Sequence, residues 1–191
     1  MSEKMIIQNV RCSYVFVDEP RDETDDDGNK TGKKKYSIQP LISKKHPQLK
    51  KMRAMIQKVA QEKFGAKVKM GMLKTPLRDG DTERDDEEYA GHYFMNCNGN
   101  RKPGMVNKAN EPADPDDIAE YCYSGAYFHV SVSFYPFERK GNKGVAVGLN
   151  NVMFRKKGER LDGSVAATSE FADYAEEADG DEFGDDDGDD W

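Results

Sequence analysis

One stretch of the sequence concentrates side chains able to do chemistry: AYFHVSVSFYPF, Ala126–Phe137. Side chains of an extended strand alternate between two faces. Phe128, Val130, Val132 and Phe134 make one uninterrupted apolar face, which reads as core. Tyr127, His129, Ser131, Ser133, Tyr135 and Phe137 make the other. Aromatics and an imidazole on an outward face suit stacking against unpaired bases, at ~1–3 kcal/mol per base, provided that cations hold the phosphates. Such cations are at hand. Arg139, Lys140 and Lys143 sit at the tip of the hairpin that this strand begins, and Arg155, Lys156 and Lys157 at its far end. The same aromatics would serve equally well as a second core face under the helix or the segment after Asn98. Spacing does not choose between the two.

Charge points to the same class of ligand. The chain has 191 residues, with 36 Asp and Glu against 29 Lys and Arg, for a net charge of −7. From Leu161 onward there are 13 acids and no Lys or Arg, so the body carries +6 and the tail −13. A cationic body seeks an anion, and a tethered polyanion occupies the same surface at high effective concentration. The phosphodiester backbone is the natural external competitor. Phe171, Tyr174, Phe183 and the single Trp, Trp191, punctuate the acids. A purely solvating tail lacks aromatics. The end of this one reads as an apolar anchor steered by charge, with Phe183, Asp185, Asp186, Asp187, Asp189, Asp190 and Trp191 as the residues that meet a partner or the body itself.

The elements that must position these groups follow from periodicity. Ile6 to Val17 alternates apolar and polar residues and predicts a strand, and Tyr36 to Ile42 a second. The polar run between them, Asp18 to Lys35, reads as a long loop. Leu49, Met52, Ile56, Val59, Ala60 and Phe64 recur at helical spacing and predict a helix over 46–64, with Pro47 in its first turn and Gly65 at its end. The basic residues Lys50, Lys51, Arg53 and Lys58 lie mostly elsewhere around it, as a solvated face. A short strand is expected at Val68–Leu73, another within Tyr89–Asn98, and irregular chain from Asn98 to Pro115. Ile118–Tyr123 is ambiguous. Gly144–Phe154 returns against Ala126–Phe137 as the second arm of a hairpin. One helix among five or so strands predicts a mainly β fold, a small closed or partly closed barrel over 1–163, followed by a disordered acidic tail over 164–191.

Other chemistries fit poorly. Cys12, Cys97 and Cys122 form no CxxC pair, and His46, His92 and His129 are as scattered, so free thiols are expected rather than a metal site. Asp25 and Asp27 before Gly28 resemble the start of a calcium loop, but its twelfth position is Lys34. No GxxxxGK[ST], HExxH or GxSxG occurs. Asp79, Asp81, Asp85, Asp86, Glu87 and Glu88 could be read as a metal-dependent nuclease cluster, yet Arg78 and Arg84 interrupt them in a hydrophilic loop. No cofactor is expected. No apolar run approaches the ~20 residues of a membrane span, and the charged N-terminus lacks the apolar core of a signal peptide, so a cytoplasmic location is expected.

At Pro76-Leu77-Arg78-Asp79-Gly80-Asp81 and Tyr89-Ala90-Gly91-His92-Tyr93-Phe94 the sequence resembles a family of phage single-stranded DNA-binding proteins. The likeness continues through Arg101-Lys102-Pro103-Gly104-Met105-Val106, Tyr123-Ser124-Gly125, Gly141-Asn142-Lys143-Gly144 and Gly148-Leu149-Asn150-Asn151-Val152. These blocks keep their order over roughly residues 30–163. The resemblance implies an OB fold, a five-stranded barrel with one principal helix, and sequence-nonspecific binding of single strands in phage replication, recombination and repair, inside the infected bacterial cell. It also implies an acidic C-terminal tail that competes with DNA and contacts replication or recombination proteins. Related proteins often end in Phe, whereas this chain ends in Trp191. Joined to the pattern above, the expectation is a non-enzymatic protein that stacks bases on Tyr127, His129, Tyr135 and Phe137. Phosphates are expected on Lys33, Lys34, Lys35, Arg101, Lys102, Arg139, Lys140 and Lys143. The rival readings are the nuclease and an acidic interaction module without DNA affinity.

Overall fold

Five strands close on themselves in a ring, and everything else hangs from it. The computed structural model describes residues 2–163 and 170–174. Its strands are β1 (Glu3–Thr24), β2 (Lys30–Ser43), β3 (Arg78–Asp79), β4 (His92–Phe94), β5 (Cys97–Gly99), β6 (Gly104–Val106), β7 (Tyr127–Arg139) and β8 (Asn142–Lys156). The helices are α1 (Leu49–Phe64), α2 (Gly80–Glu83) and α3 (Pro115–Tyr121). The first half of β1 pairs antiparallel with β7 and its second half with β2. β7 pairs with β8, β8 runs parallel to β5 at Asn98–Gly148, and β5 returns to β2. This is the expected five-stranded OB-type closure, though the thin β5–β8 seam makes it a ring rather than a regular barrel. β4 and β3 extend the sheet beyond β2, and β6 adds a parallel partner to β8.

The alternation seen in the sequence sets the interior. Phe128, Val130, Val132 and Phe134 are fully buried, as are Ile7, Cys12, Ile38 and Phe154. The helix presents Leu49, Met52, Ile56, Val59 and Ala60 to the same core and packs on β7 and β8. Burying these side chains is the main stabilising term, at ~1.5–3 kcal/mol for each large one. Cys12 and Cys97 are free thiols inside this core, and burial pushes their pKa values up.

Four expectations are revised. The segment 18–35 is not a loop, because β1 and β2 run on as a long hairpin to a turn at 25–29, where Asp25 Oδ1 accepts from Asn29 N at 2.8 Å and Asp27 N at 3.0 Å. Both faces of that ribbon meet solvent, so no hydrophobic alternation marks it. The helix starts three residues later than predicted, since His46 accepts from Gln48 N at 3.2 Å and its Nε2 lies 2.8 Å from the Gln8 carbonyl. Met70–Met72 is a 3-10 turn rather than a strand, and the ambiguous 118–123 stretch is largely α3, started by an Asp114 capping box. Among the described residues no helix is long and apolar enough to cross a membrane.

Candidate nucleic-acid interface

Three clefts open on the ring, and residues close in sequence link them, Lys33 with Lys35 and Asn98 with Gly99. The first lies between the tips of the β1–β2 and β7–β8 hairpins. It has a volume of about 520 Å³ and is walled by Lys33, Lys74, Phe137, Arg139 and Lys140, with Glu23, Asp25 and Asp26 on its β1 side. The β7–β8 tip is a two-residue turn at Lys140 and Gly141, both at positive φ as hairpin twist requires. Lys33, Arg139 and Lys140 have no ion-pair partner among the described residues.

The second cleft, of about 310 Å³, lies on the outer face of β1, β2 and β5. Lys35, Ser37 and Gln39 of β2 reach it because they share a face with Lys33, while Tyr36 and Ile38 turn to the core. Tyr14 and Arg21 come from β1, Asn96 and Asn98 from the β5 segment, and Arg84 from the acidic stretch after α2. Tyr14 is exposed and held at φ 47°, inside a bulge between Ser13 and Phe16. A bulky residue in the left-handed region is strained by ~1–3 kcal/mol, and such strain collects where a side chain must be aimed. Arg84 lies over three rings, 5.8 Å from Tyr14, 5.0 Å from Tyr89 and 5.3 Å from Phe94. No carboxylate among the described residues ion-pairs with it, so its N–H fork is open to an anion. Arg21 lies 5.7 Å over Phe16 in the same manner.

The third cleft continues from Asn98 along Gly99, Asn100, Arg101 and Lys102 to Leu149 and Asn150 of β8, at about 480 Å³. Lys102 is held by Asp18 at 2.6 Å. Together the three form a track rimmed by cations and carrying exposed or half-exposed rings.

The structure therefore gathers Lys33, Phe137, Arg139 and Lys140 in the first cleft, Lys35 in the second, and Arg101 and Lys102 in the third. The other predicted residues lie apart. Lys34 projects from the opposite face of β2, across from Asp22. Lys143 is paired with Glu138 at 3.2 Å. Tyr135 is exposed above Gly148 on the β7–β8 face. Tyr127 lies at the far end of β7, about 33 Å along the strand from Phe137, beneath the Lys156 ammonium at 4.3 Å. Phe183, Asp185, Asp186, Asp187, Asp189, Asp190 and Trp191 lie outside the described residues.

His129 has a defined chemical role. It is half-buried, and its Nδ1 accepts from the Asn9 backbone N–H at 2.9 Å, where Asn9 sits at φ 50°. Burial and then the nearby Arg155 guanidinium hold its pKa below the ordinary histidine value. A histidine depressed in the folded state contributes stability above its unfolded pKa of about 6.5, and loses it as pH falls through the folded value. Thermal melts from pH 8 to 4 are therefore expected to be level above about pH 7 and to fall more steeply below about 6.5 than those of His129→Asn. Parallel curves for the two proteins would exclude this role.

Two of the six acids of the rival nuclease reading are occupied. Asp79 and Asp81 both pair with Lys44, at 2.8 and 2.6 Å, and Asp81 also accepts from Gly91 N at 2.8 Å. Lys44 lowers the Asp81 pKa and has its own raised. Glu83 is paired with Arg78. Among the described residues no group of three His, Cys, Asp or Glu is placed to hold a metal.

Residues 3–183 match the family described as Enterobacter phage Enc34, ssDNA-binding protein. The chain belongs to this family. Protein p50 of Acyrthosiphon pisum secondary endosymbiont phage 1 is 31% identical over 182 residues, covering 90% of this chain and 94% of that one. The solved single-stranded DNA-binding protein from bacteriophage Enc34, in complex with ssDNA, superimposes with a TM-score of 0.68 at 27% identity, over 83% of this chain and 89% of that one. Gp2.5, a single-stranded DNA-binding protein encoded by bacteriophage T7, gives a TM-score of 0.62 over 95% of this chain and 100% of that one. At 15% identity that likeness concerns the fold alone. The family's OB-type fold is thus common to chains with few residues in common.

Tyr14, Phe16, Arg21, Ser37, Gln39, Arg84, Asn96 and Asn98 are the residues that sequence reasoning missed. A signal existed for some. Lys35, Ser37 and Gln39 alternate with Tyr36 and Ile38, as a strand with one polar face should. Nothing local marks Arg84, whose neighbours in sequence are acids and whose neighbours in space are rings.

Proposed function

We propose that this protein binds single-stranded DNA as a phage replication or recombination factor, without a catalytic step, along the track of three clefts. Phosphates follow Lys33, Lys35, Arg84, Arg101, Arg139 and Lys140, and bases stack on Tyr14, Phe16 and Phe137. The observation that carries this reading is the second cleft, where a strained, exposed Tyr14 faces a guanidinium without a carboxylate partner. Membership of the family supports it, as does the single strand held by the Enc34 protein in its complex. The acidic C-terminal segment competes for the same cations and offers its terminal aromatic to replication or recombination proteins, within the cytoplasm of the infected host.

Fluorescence anisotropy with labelled oligo-dT, on the full chain and on a form ending at Ser169, tests both parts. Both forms are expected to prefer oligo-dT over a matched duplex. The truncated form should bind roughly tenfold more tightly at low salt, with the gap closing as salt screens the tail. Unchanged or weaker binding after truncation would remove the competing tail. No binding by either form would remove the function itself.

A further inference from the structure

The second cleft has a wall of amides oriented from behind, with the Ser37 hydroxyl among them. The buried Tyr89 hydroxyl donates to Gln39 Oε1, and Gln39 Nε2 donates to Asn96 Oδ1 at 2.6 Å. One lone pair of Asn96 Oδ1 is thereby taken, and its amino group remains uncommitted. Asn98 donates from Nδ2 to the Asn96 carbonyl at 3.3 Å, which leaves Oδ1 as the uncommitted end of that amide. Asn98 Oδ1 is buried without a hydrogen-bond partner, and so is the hydroxyl of Ser37, a residue only 4% exposed. Three side-chain atoms among the described residues are orphaned in this way, and two of them belong to this one cleft. An unpaired polar atom out of water weakens a fold, and its presence calls for a ligand that completes it.

We propose that Asn98 and Ser37 read the Watson–Crick edge of an unpaired base, with Asn98 Oδ1 accepting the base N–H. The inference rests on the proposed function and deepens it. Asn98 Oδ1 is an acceptor only, so the ligand must bring a donor. Tyr14 offers a ring for the base face and Arg84 and Lys35 a place for the phosphate. The uncommitted groups of Asn96, Asn98 and Ser37 are what remains for the base edge. In a duplex that N–H is already spent on the opposite base. The same two residues therefore set single strand apart from duplex by chemistry, where stacking and charge would do so only by shape. Every base carries a donor on this edge, so the device is compatible with sequence-tolerant binding.

Thymine isolates the claim, because N3–H is its one donor on that edge. Methylation of N3 removes this donor and leaves the ring face and the backbone charge in place. Anisotropy would compare labelled oligo-dT with an equal-length oligonucleotide of N3-methylthymidine, using the full chain, Asn98→Ala and Ser37→Ala. The unaltered protein is expected to bind the methylated strand about tenfold more weakly. Asn98→Ala should lose about that factor on oligo-dT and bind the two strands alike within about twofold, whereas Ser37→Ala keeps the Asn98 acceptor and should weaken both strands about equally. Ser37→Ala should melt no lower than the parent, because the hydroxyl it deletes bonds to nothing in the free protein. Equal binding of both strands by the parent, or undiminished discrimination by Asn98→Ala, would overturn the proposal and leave single-strand binding standing. Failure of the parent to bind oligo-dT would overturn the proposed function, and this inference with it.

Discussion

Replacing Lys33, Arg139 and Lys140 together with alanine is expected to weaken single-strand binding by about two orders of magnitude near 0.1 M salt. The three come from two hairpins, with Lys33 more than a hundred residues before Arg139 and Lys140, yet wall one cleft. None is ion-paired among the described residues, so each is available to a phosphate. Every phosphate neutralised on a single strand contributes about 0.7 to the slope of log affinity against log salt. Losing three should therefore flatten that slope by about 2, which near 0.1 M is itself about a hundredfold. Lys143→Ala is the internal control. Its ammonium is already held by Glu138, so its loss should change affinity by no more than a few-fold. Titrations of oligo-dT from 50 to 300 mM salt would check this. Parallel lines for triple variant and parent would place the phosphates elsewhere.

How far the sequence revealed this arrangement depends on the kind of information each part needs. The β7–β8 hairpin and the core face of Phe128, Val130, Val132 and Phe134 were legible because one face is buried and the other is not. Lys33, Arg139 and Lys140 were legible as cations, but their meeting was not, since it depends on ring closure bringing two hairpin tips together. The paired ribbon at 18–35 was hidden because neither face touches the core, so composition marks it as loop while backbone hydrogen bonds make it strand. Tyr127 and His129 were grouped with Phe137 by period alone. The strand's length separates them, and His129 spends Nδ1 on Asn9. Arg84 shows the limit of local reading most clearly. It stands in a run that looks solvated, and its role comes from Tyr14, Tyr89 and Phe94, two of which are near it only in the fold or across a turn.

Gly125→Ala is expected to be the most damaging single methyl group in the protein, lowering stability by about 4 kcal/mol or more. Two independent penalties meet there. The residue has φ 111°, a conformation that side chains rarely adopt. A Cβ would also lie 2.0 Å from the Glu159 carbonyl oxygen, a backbone atom with little room to retreat. That oxygen accepts from an Arg11 guanidinium N–H, while Gly125 N donates to the Cys12 carbonyl at 2.8 Å and Cys12 N donates to the Ala126 carbonyl at 3.0 Å. The entry to β7, the exit from β8 and the middle of β1 therefore cross at one point, and that crossing ties together the two hairpins of the ring. Gly65→Ala separates the penalties, because Gly65 has φ 99° but open space around its missing Cβ. It should cost about 1–2 kcal/mol, the backbone strain alone. For a domain of this size the expected fall in Tm is about 8–16 °C for Gly125→Ala, against about 2–8 °C for Gly65→Ala. Equal melting of the two variants would mean that the chain can part at this crossing without loss. The ring would then not be what holds the β1–β2 and β7–β8 tips, and the cations they carry, on either side of one strand of DNA.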